Sequence, residues 1–280
     1  MYIKAYKPNL FISEFISCYF EVDMAQIAGE SKELVWPDGT FGLLFLEKNK
    51  EVYRNLDTNT ELLNISKTSF FGQKTKPVNY QYLQGNKTSF GIKIKPKGVP
   101  LFIDDSLGST KDCFFEVDII SRKLSILESK IFDSNSIQEK IAIIDDFIFK
   151  SLKLKSSESD YILFSKITGH IDQKKGDISL SDLYEEFNLN YKKVERLFNF
   201  YLGVTPKTYL RIVRFNNSIQ LQSQLKELNL TQLGNELGFY DQSHFIREFK
   251  RFSTLTPKDF FRREHTESEE TLLSIISNKW

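Results

Sequence analysis

The chain has 280 residues, of which 38 are lysine or arginine and 37 are aspartate or glutamate, for a formal net charge of +1. This length suits about two domains. With 40 % hydrophobic and 14 % aromatic residues, the chain is expected to form packed cores rather than to stay disordered. Its near-neutral charge excludes a strongly cationic nucleic-acid coat, but not a compact DNA-binding module with basic residues on one face.

Cysteine and histidine usage argues against metal and redox sites. The two cysteines, Cys18 and Cys113, are too few for a disulfide scaffold or a cysteine-rich zinc site, and we expect both to be buried apolar residues. The three histidines, His170, His244 and His265, cannot form a three-histidine cage in the N-terminal half. No glycine-rich phosphate loop or nucleophile elbow occurs. We therefore predict no cofactor, no metal and no enzymatic activity.

The sequence also indicates where the protein is found. No stretch approaches 18 uncharged apolar residues, so a transmembrane helix is not expected. The first eight residues contain no apolar core of signal-peptide length. The low cysteine content fits a reducing compartment. We predict a cytoplasmic protein.

The first 120 residues have the pattern of short strands. Residues 41–46 form an apolar run that is followed by a polar, turn-like cluster at 47–50. Residues 89–95 alternate apolar and polar side chains until Pro96 stops the pattern, as in a strand with one buried face. Residues 79–83 are a third candidate. Short strands with glycine and proline between them are typical of a sandwich or barrel.

Beyond about residue 121 the period of the apolar residues becomes helical. Apolar side chains recur three or four positions apart over 124–131 and again over 137–152. Ser136 is a predicted N-cap, with Glu139 three residues on as in a capping box. The polar run 153–160 is the predicted linker between two domains.

The remainder of the chain is predicted to be helical throughout. A helix over about 159–173 precedes Gly176, and a short helix or frayed end follows residue 266. Serine, asparagine, threonine and aspartate are preferred N-cap residues, and proline is favoured in the first turn. The remaining predicted helices start near Ser179, Asn190, Thr205-Pro206, Thr231, Asp241 and Thr256-Pro257.

The helical half contains an internal repeat of about fifty residues. One copy runs from Leu183 to Pro206 and the other from Leu233 to Pro257. Each copy is a helix, a tight turn, a capped helix and a Thr-Pro pair, and each second helix carries an arginine two residues before a phenylalanine. This is the size and turn chemistry of a helix-turn-helix motif. Such a helix fits the major groove, and two motifs can enter successive groove segments roughly 34 Å apart.

Residues 177–263 resemble the DNA-binding domain of the AraC family of transcriptional regulators. The stretch 237–250, Leu-Gly-Phe-Tyr-Asp-Gln-Ser-His-Phe-Ile-Arg-Glu-Phe-Lys, is very close to that family's signature, which continues through 255–257 and Phe260. The first copy matches at Arg196, Phe198, 203–206 and 209–211.

One departure concerns the end of the second copy. Ser253-Thr254 stands where the family usually has phenylalanine-glycine. We expect this change to alter the last turn of the helix without affecting base contacts.

The resemblance implies which side chains face DNA. Arginine pairs naturally with guanine and glutamine with adenine, and Ile246 could contact a thymine methyl group. Glu195 either accepts a hydrogen bond from cytosine or pairs with a neighbouring side chain. For each residue the alternative is a solvated helix surface. The predicted DNA-binding residues are Lys192, Lys193, Glu195, Arg196, Asn199, Gln242, Ser243, His244, Ile246, Arg247 and Lys250.

Three basic residues recur at helical spacing between the two copies. Lys207, Arg211 and Arg214 either contact phosphate or pack their aliphatic stems on the core and pair with acids. We favour the second interpretation for Arg211 and Arg214.

The N-terminal half resembles a small β domain that is often fused to AraC-type DNA-binding domains, at 36–39, 71–73 and 90–98. In the family at large such domains sense a ligand or mediate dimerisation, which implies a small-molecule effector or a homodimer. Trp36 and Asp38 are weak ligand-binding candidates because aromatic residues dominate such pockets. The alternative is a strand-end turn with Trp36 in the core.

The prediction is an α+β protein. Residues 1–155 would form a β-rich, sandwich-like or barrel-like sensory or association domain with trailing helices, and residues 156–280 an all-α domain of two helix-turn-helix motifs joined by a long helix. The predicted function is a transcriptional regulator that binds a promoter or operator in double-stranded DNA. One alternative is a ligand-binding or enzymatic β domain with a DNA-binding appendage. Another is a protein-interaction adaptor that reuses the helical fold.

Overall fold

In a computed structural model of the chain, the N-terminal segments with alternating apolar and polar residues form antiparallel β-strands. The structure describes residues 2–23, 32–46, 51–56, 62–65, 67–84, 88–117, 121–225 and 228–276. In these ranges the strands are β1 (Tyr2–Tyr6), β2 (Ile16–Asp23), β3 (Lys32–Val35), β4 (Phe41–Phe45), β5 (Glu51–Asn55), β6 (Leu62–Ile65), β7 (Ser69–Phe71), β8 (Val78–Gln84), β9 (Thr88–Ile94) and β10 (Phe114–Glu116).

The helical half follows the predicted order of capped helices. The described α-helices are α1 (Val99–Phe102), α2 (Arg122–Phe132), α3 (Ile137–Lys155), α4 (Ser159–Gln173), α5 (Leu180–Glu186), α6 (Tyr191–Leu202), α7 (Pro206–Gln224), α8 (Leu230–Glu236), α9 (Gln242–Ser253), α10 (Pro257–Arg262) and α11 (Glu267–Ile276).

The strands form two antiparallel sheets, which we call the β domain (residues 2–117). One sheet has the order β1-β2-β9-β4-β7-β10 and the other the order β3-β8-β5-β6. Leu43 in β4 lies opposite both Ile92 and Phe70, and all three side chains are fully buried. The predicted strands at 41–46, 79–83 and 89–95 are therefore confirmed as β4, β8 and β9, whereas the predicted turn at 47–50 lies outside the described residues.

The predicted helices are confirmed, but two details of the first ones are wrong. Residues 153–155 complete α3, and only 156–158 separate it from α4, so the polar run is mostly helical surface. Ser136 caps α3 by accepting a hydrogen bond from the Glu139 amide at 3.2 Å. The Glu139 carboxylate, however, accepts from the amide of Asn135 at 2.7 Å, so no reciprocal capping box forms.

One hydrophobic core runs from the β domain into the first helix-turn-helix motif. Tyr19 of the sheet, Ile144 of α3 and Phe198 of α6 all belong to this cluster, and each is fully buried. The predicted boundary at 155/156 stays a prediction, and this core extends across it. Such continuity makes the first motif a packed neighbour of the β domain rather than a tethered unit.

A second core belongs to the second helix-turn-helix motif and includes two residues from the β domain. Leu34 and Trp36, next to the end of β3, join Phe215, Phe249 and Phe260 in this cluster. Trp36 is 1 % exposed, and its ring meets that of Phe260 edge-on with centroids 5.4 Å apart. The β domain therefore contributes an aromatic side chain to the interior of the helical half.

The two cysteines occupy different environments. Cys18 is fully buried, and burial raises the pKa of its thiol to about 12, as expected for an inert core residue. Cys113 is exposed, so the expectation that both are buried is wrong for this residue. It lies just before β10, outside any apolar pattern.

Within the described residues, no helix combines the length and hydropathy that a bilayer-crossing segment needs.

Candidate nucleic-acid interface

The first helix-turn-helix unit consists of α5 and α6. The Asn190 side chain caps α6 by accepting a hydrogen bond from the Lys193 amide at 2.9 Å. Val194, Leu197 and Phe198 bury one side of the helix. The opposite side faces solvent, so the first turn of α6 presents its side chains and free amide groups outward.

The second unit consists of α8 and α9 and repeats this construction. Asp241 caps α9 by accepting from the His244 amide at 2.7 Å. Phe245, Phe249 and Phe252 bury the inner side. Both units present a capped helix with one apolar and one polar side, which is the geometry of a recognition helix.

The two recognition helices end differently. Gly203 ends α6 in the left-handed region with φ +67°, where glycine is unstrained. Thr254 ends α9 at φ +63°, a conformation that is uncommon for a β-branched residue. The expectation that threonine in place of glycine alters this last turn is therefore wrong, because Thr254 keeps the left-handed conformation at the cost of backbone strain.

The cations of the first recognition helix are not equally free. Lys192 is exposed, whereas Lys193 and Arg196 both pair with Asp160 of α4, the latter at 3.0 Å. These two pairs hold the pKa of the Asp160 carboxyl below its usual value. Two of the predicted DNA-binding side chains therefore already have a carboxylate partner. Glu195 is half-buried, and no ion pair of Glu195 appears among the described residues.

Asn199 lies at the far end of α6, next to the β domain. A Cβ atom at Gly108 would come within 3.0 Å of the Asn199 amide nitrogen. One residue further, the Phe200 carbonyl accepts a hydrogen bond from the Leu107 amide at 2.8 Å. Asn199 thus borders a loop of the β domain rather than the open first turn of the helix.

The second recognition helix carries freer cations. Arg247 and Lys250 are exposed, and neither has an ion-pair partner within the part of the chain that is described. Ser243 is also exposed, and Gln242 accepts a hydrogen bond from the Thr231 hydroxyl at 3.1 Å. This surface can offer hydrogen-bond donors to bases and phosphates without first breaking an ion pair.

Two further residues of this helix are less exposed than the pattern suggested. His244 is half-buried and meets the Phe239 ring edge-on at 5.3 Å. Ile246, which the sequence places among exposed polar neighbours, is half-buried too. His244 and Ile246 can therefore reach a DNA groove only with the outer part of their side chains.

The basic residues of the connecting helix α7 are mostly occupied inside the protein. Arg211 forms a two-point ion pair with Glu248 of the second recognition helix, at 2.5 and 2.6 Å. Arg214 donates to the Gly176 carbonyl at 2.8 Å, while Lys207 stays exposed. The favoured interpretation of Arg211 and Arg214 as internal partners is confirmed.

Sequence reasoning missed three contributors to this surface. Asp160 lies outside the repeat, so nothing in the sequence linked it to α6. Glu248 sits inside the family signature, but its partner on α7 is 37 residues away. Tyr240, immediately before the cap of α9, is 94 % exposed. A large aromatic residue in a tight turn is the sequence feature that could have identified it as part of this surface.

A cavity of about 510 Å³ lies where the β domain meets α7 and the C-terminal helix α11. Asp38, a weak ligand-binding candidate, lines it and pairs with Lys93. Trp36, the other candidate, lies in the second core and does not line the cavity. Of the two interpretations of this segment, the structure thus supports the core position for Trp36.

The polar groups in this cavity come from both halves of the chain. Desolvation by the surrounding protein raises the pKa of the Asp172 carboxyl to about 6. The Tyr209 hydroxyl donates a hydrogen bond to this carboxyl at 2.8 Å, which opposes the rise in its pKa. Burial lowers the pKa of Lys95, which faces the same space. The side-chain oxygen of Asn216 is buried there, and no described residue donates a hydrogen bond to it. Among the described residues, no group of three or more potential ligands is placed to hold a metal ion.

Comparison with known families identifies the helical half. Residues 183–263 match the family described as a helix-turn-helix domain, and residues 4–115 match a domain of unknown function (DUF6597). Residues 183–263 are a helix-turn-helix domain of the AraC type. A chain with an AraC-type domain is a DNA-binding regulator of transcription. No curated protein matches the chain.

Several solved structures resemble the chain over most of its length. ToxT from Vibrio cholerae bound to an unsaturated fatty acid is 16 % identical, with a TM-score of 0.42, over 86 % of this chain and 92 % of that chain. Another ToxT structure, with (E)-4-(8-methylnaphthalen-1-yl)but-3-enoic acid, is 12 % identical, with a TM-score of 0.41, over 87 % and 99 %. The AraC-like transcriptional activator CuxR is 10 % identical, with a TM-score of 0.27, over 81 % and 91 %.

Proposed function

We propose that the chain binds a specific site in double-stranded DNA by placing α6 and α9 in two successive segments of the major groove. The observation that carries this proposal is the repeated construction of the two units. Each has a side-chain-capped helix with a buried apolar side and an exposed polar side. A solvated helix surface needs no such duplication, whereas two recognition helices on one face of DNA do.

Within this proposal the second recognition helix is the main source of base specificity. Arg247 is exposed and free of ion pairs among the described residues, so it can donate two hydrogen bonds to a guanine. Gln242 and Ser243 precede it in the first turn. Lys192 and Lys250 supply phosphate contacts, and Lys193 and Arg196 join them once Asp160 releases them.

A selection of bound sequences from random duplex DNA, with the full chain, tests the proposal. The full chain is needed because Leu34 and Trp36 complete the second core. Two short half-sites about one helical turn apart are expected. A single half-site would contradict base contact by both helices. No enrichment at low salt would favour the protein-interaction adaptor, because phosphate contacts weaken steeply with salt.

Substitutions separate base contact from phosphate contact. Arg247→Ala should cost roughly 1–3 kcal/mol at the selected site and relax its base preference. Lys192→Ala should weaken binding to all sequences about equally. Equal losses on specific and random DNA for Arg247→Ala would contradict its role as a base contact.

We further propose that the cavity between the β domain, α7 and α11 is where a small effector acts. It touches both halves of the chain, so an occupant there can change how the recognition helices are held. Half-buried Lys95 favours an anionic group, and the unpaired oxygen of Asn216 favours a hydrogen-bond donor. The ligand class that fits is a small hydroxylated or amino carboxylate.

The small-molecule fraction of a cell extract is the probe for this site. It should change DNA affinity of the native chain, and Lys95→Ala should abolish the change. The matched control is Lys97→Ala, because Lys97 pairs with Glu14 and does not line the cavity. Equal responses of both variants would exclude this cavity. A ligand chemically converted during incubation would support the alternative of an enzymatic β domain.

A further inference from the structure

The two helix-turn-helix units have separate cores, and these cores meet on the connecting helix α7. Tyr209 and Leu210 belong to the first core, whereas Ile212 and Phe215 belong to the second. Since the described core residues of the two units fall into separate clusters, apolar packing within each unit does not set the angle between them. That angle depends on the contacts at their border.

A cavity of about 680 Å³ lies between the units beside α7. Its apolar walls come from both units, with Ile178 and Leu180 on the first side and Phe239 and Phe245 on the second. An open space of this size provides no packing contacts that would resist a change in the angle between its walls. Side chains that bridge the units must then supply that resistance.

Arg211 joins α7 to the second recognition helix. Its guanidinium donates to both carboxylate oxygens of Glu248, at 2.5 and 2.6 Å, and lies 5.6 Å from the centre of the Phe252 ring. The side chains of the pair are only 24 % and 21 % exposed, so salt screens them less than a surface pair. Two parallel hydrogen bonds fix orientation as well as distance. This pair therefore holds α9 in one rotation against α7.

Arg214, three residues further along α7, contacts both units. It donates to the Gly176 carbonyl, just before α5, at 2.8 and 3.2 Å. Its guanidinium also lies 5.3 Å from the centre of the Phe239 ring in the turn of the second unit. Beside it, a Cβ atom on Gly238 would come within 2.1 Å of the Asp177 carboxylate. The turn of the second unit thus rests directly on the segment that leads into the first.

The distance between two half-sites on DNA makes demands on the same angle. One additional base pair moves the second half-site by about 3.4 Å and turns it by roughly 35° around the helix axis. Two recognition helices that are held rigidly fit one spacing, and any other spacing requires the DNA to be twisted. Helices that can turn relative to one another accept several spacings.

We infer that Asp177, Arg211, Arg214 and Glu248, which we call the clasp, fix the angle between α6 and α9 and thereby decide which half-site spacing the chain accepts. The inference rests on the proposed placement of both helices in the major groove. Arg211 and Glu248 are positioning residues, because they bond to each other and their role requires no contact with DNA. Their loss should change the selectivity for spacing and leave the contacts of each helix with its own half-site intact.

A set of duplexes that differ only in the distance between the two selected half-sites tests the inference. The native full chain should prefer one spacing and bind about tenfold more weakly when one base pair is inserted or removed. Glu248→Gln should reduce this preference to about threefold or less, because an amide cannot form the charged two-point pair. Its affinity for a duplex with the α9 half-site alone should stay unchanged. A purely structural role would instead weaken binding to all duplexes alike and keep the native preference.

Three further variants sharpen the test. Glu236→Gln is the matched control, because it makes the same substitution in the same unit at an exposed position that does not line the cavity. It should keep the native spacing preference. Arg211→Ala should reduce the preference as Glu248→Gln does, and the double variant should match either single one, since all three break one pair. Effects that add in the double variant would overturn the pairing.

Spin labels on the two units measure the angle in the absence of DNA. Asp182→Cys on α5 and Lys258→Cys on α10 place labels at exposed positions. The exposed Cys113 is replaced by Cys113→Ser, whereas Cys18 is buried and can stay. Double electron–electron resonance of the full chain should give one narrow distance distribution, and Glu248→Gln should broaden it.

A distance distribution that stays narrow in both Glu248→Gln and Arg211→Ala overturns the inference. So does a native chain that binds duplexes of several spacings equally well. Absence of DNA binding would contradict the proposed function instead, and the label distances would still decide whether the clasp holds the two units.

Discussion

The two helix-turn-helix units share one plan but are held by different means. The first shares a continuous core with the sheets, and a β-domain amide at Leu107 donates to a carbonyl at the end of α6. The second contacts the β domain through Leu34 and Trp36, and through Glu269 of the C-terminal helix. A repeat in sequence therefore does not imply equivalent support for the two units.

Glu269 is the polar part of that second attachment. Its carboxylate accepts from the Leu34 amide of edge strand β3 at 2.8 Å and from the Thr266 amide at 3.1 Å, and it pairs with Arg263 at 2.7 Å. Burial alone would raise the pKa of this carboxyl. The hydrogen bonds from His265, Arg263 and the two amides outweigh burial and lower it to about 2. The charged form is therefore the one that stabilises the contact.

Trp36→Ala should produce the largest difference in stability between the two helix-turn-helix units. Removing a fully buried tryptophan typically costs about 3–5 kcal/mol. Hydrogen exchange should then accelerate in α9 and α10 and stay slow in α6. Trp36→Phe is the matched control, because it keeps a ring against Phe260 and removes an indole nitrogen that has no partner among the described residues. Equal acceleration in both units would show that they are not supported separately.

Glu269→Gln should come next, with a cost of roughly 2–3 kcal/mol at neutral pH, because a neutral amide cannot pair with Arg263 and accepts weaker hydrogen bonds than the buried carboxylate. Because the folded-state pKa is depressed, the stabilisation is fully present above about pH 4.5 and is lost as the pH falls toward 2. Urea denaturation across this range should show the loss in the native chain and a flatter dependence in the variant. Parallel pH curves would contradict the assigned role.

Thr254→Gly should stabilise the second unit by about 1 kcal/mol, because it relieves a left-handed conformation that costs other residues roughly 1–2 kcal/mol. The converse change, Gly203→Ala, should be strongly destabilising, since its Cβ atom would lie 2.2 Å from the Leu107 carbonyl oxygen. Thermal denaturation of the Thr254→Gly and Gly203→Ala variants measures both changes in stability. A stabilising Gly203→Ala would mean that the first unit does not pack against the β domain as described.

Asp160→Asn should have the smallest effect. Releasing Lys193 and Arg196 should raise affinity for random DNA a few-fold, less than about 1 kcal/mol, because exposed ion pairs contribute little. The salt dependence should steepen as more cations reach phosphate. Asp182→Asn removes the same charge from the first unit without touching either cation, and any larger gain from it would contradict the proposed competition.

Sequence patterns predicted local structure best where one short segment suffices. The caps at Asn190, Thr205, Asp241 and Thr256 are all observed, because a cap needs only its own side chain and an amide two or three residues on. The linker prediction at 153–160 was wrong for the converse reason. A polar run on one side of a helix looks like a loop until the packing of the other side is known.

The two candidate recognition helices could be predicted from the sequence, but the ion pairing of their side chains could not. The repeat and the family signature identified α6 and α9, yet Lys193 and Arg247 look equally free in the sequence. Only the fold brings Asp160 next to Lys193 and leaves Arg247 without such a neighbour. Ion pairing depends on which helices pack together, and that information is not local.

The sequence by itself determined the period-two strands, the capped helices, the duplication and the AraC-type motif, because periodicity, capping and turn chemistry act within a few residues. Tertiary structure alone decided that Trp36 enters the second core, that Glu269 holds an edge strand, and that Arg211 pairs with Glu248. These features join residues as much as 235 positions apart. Burial and charge pairing at such separations follow from how the whole chain packs, which no short pattern encodes.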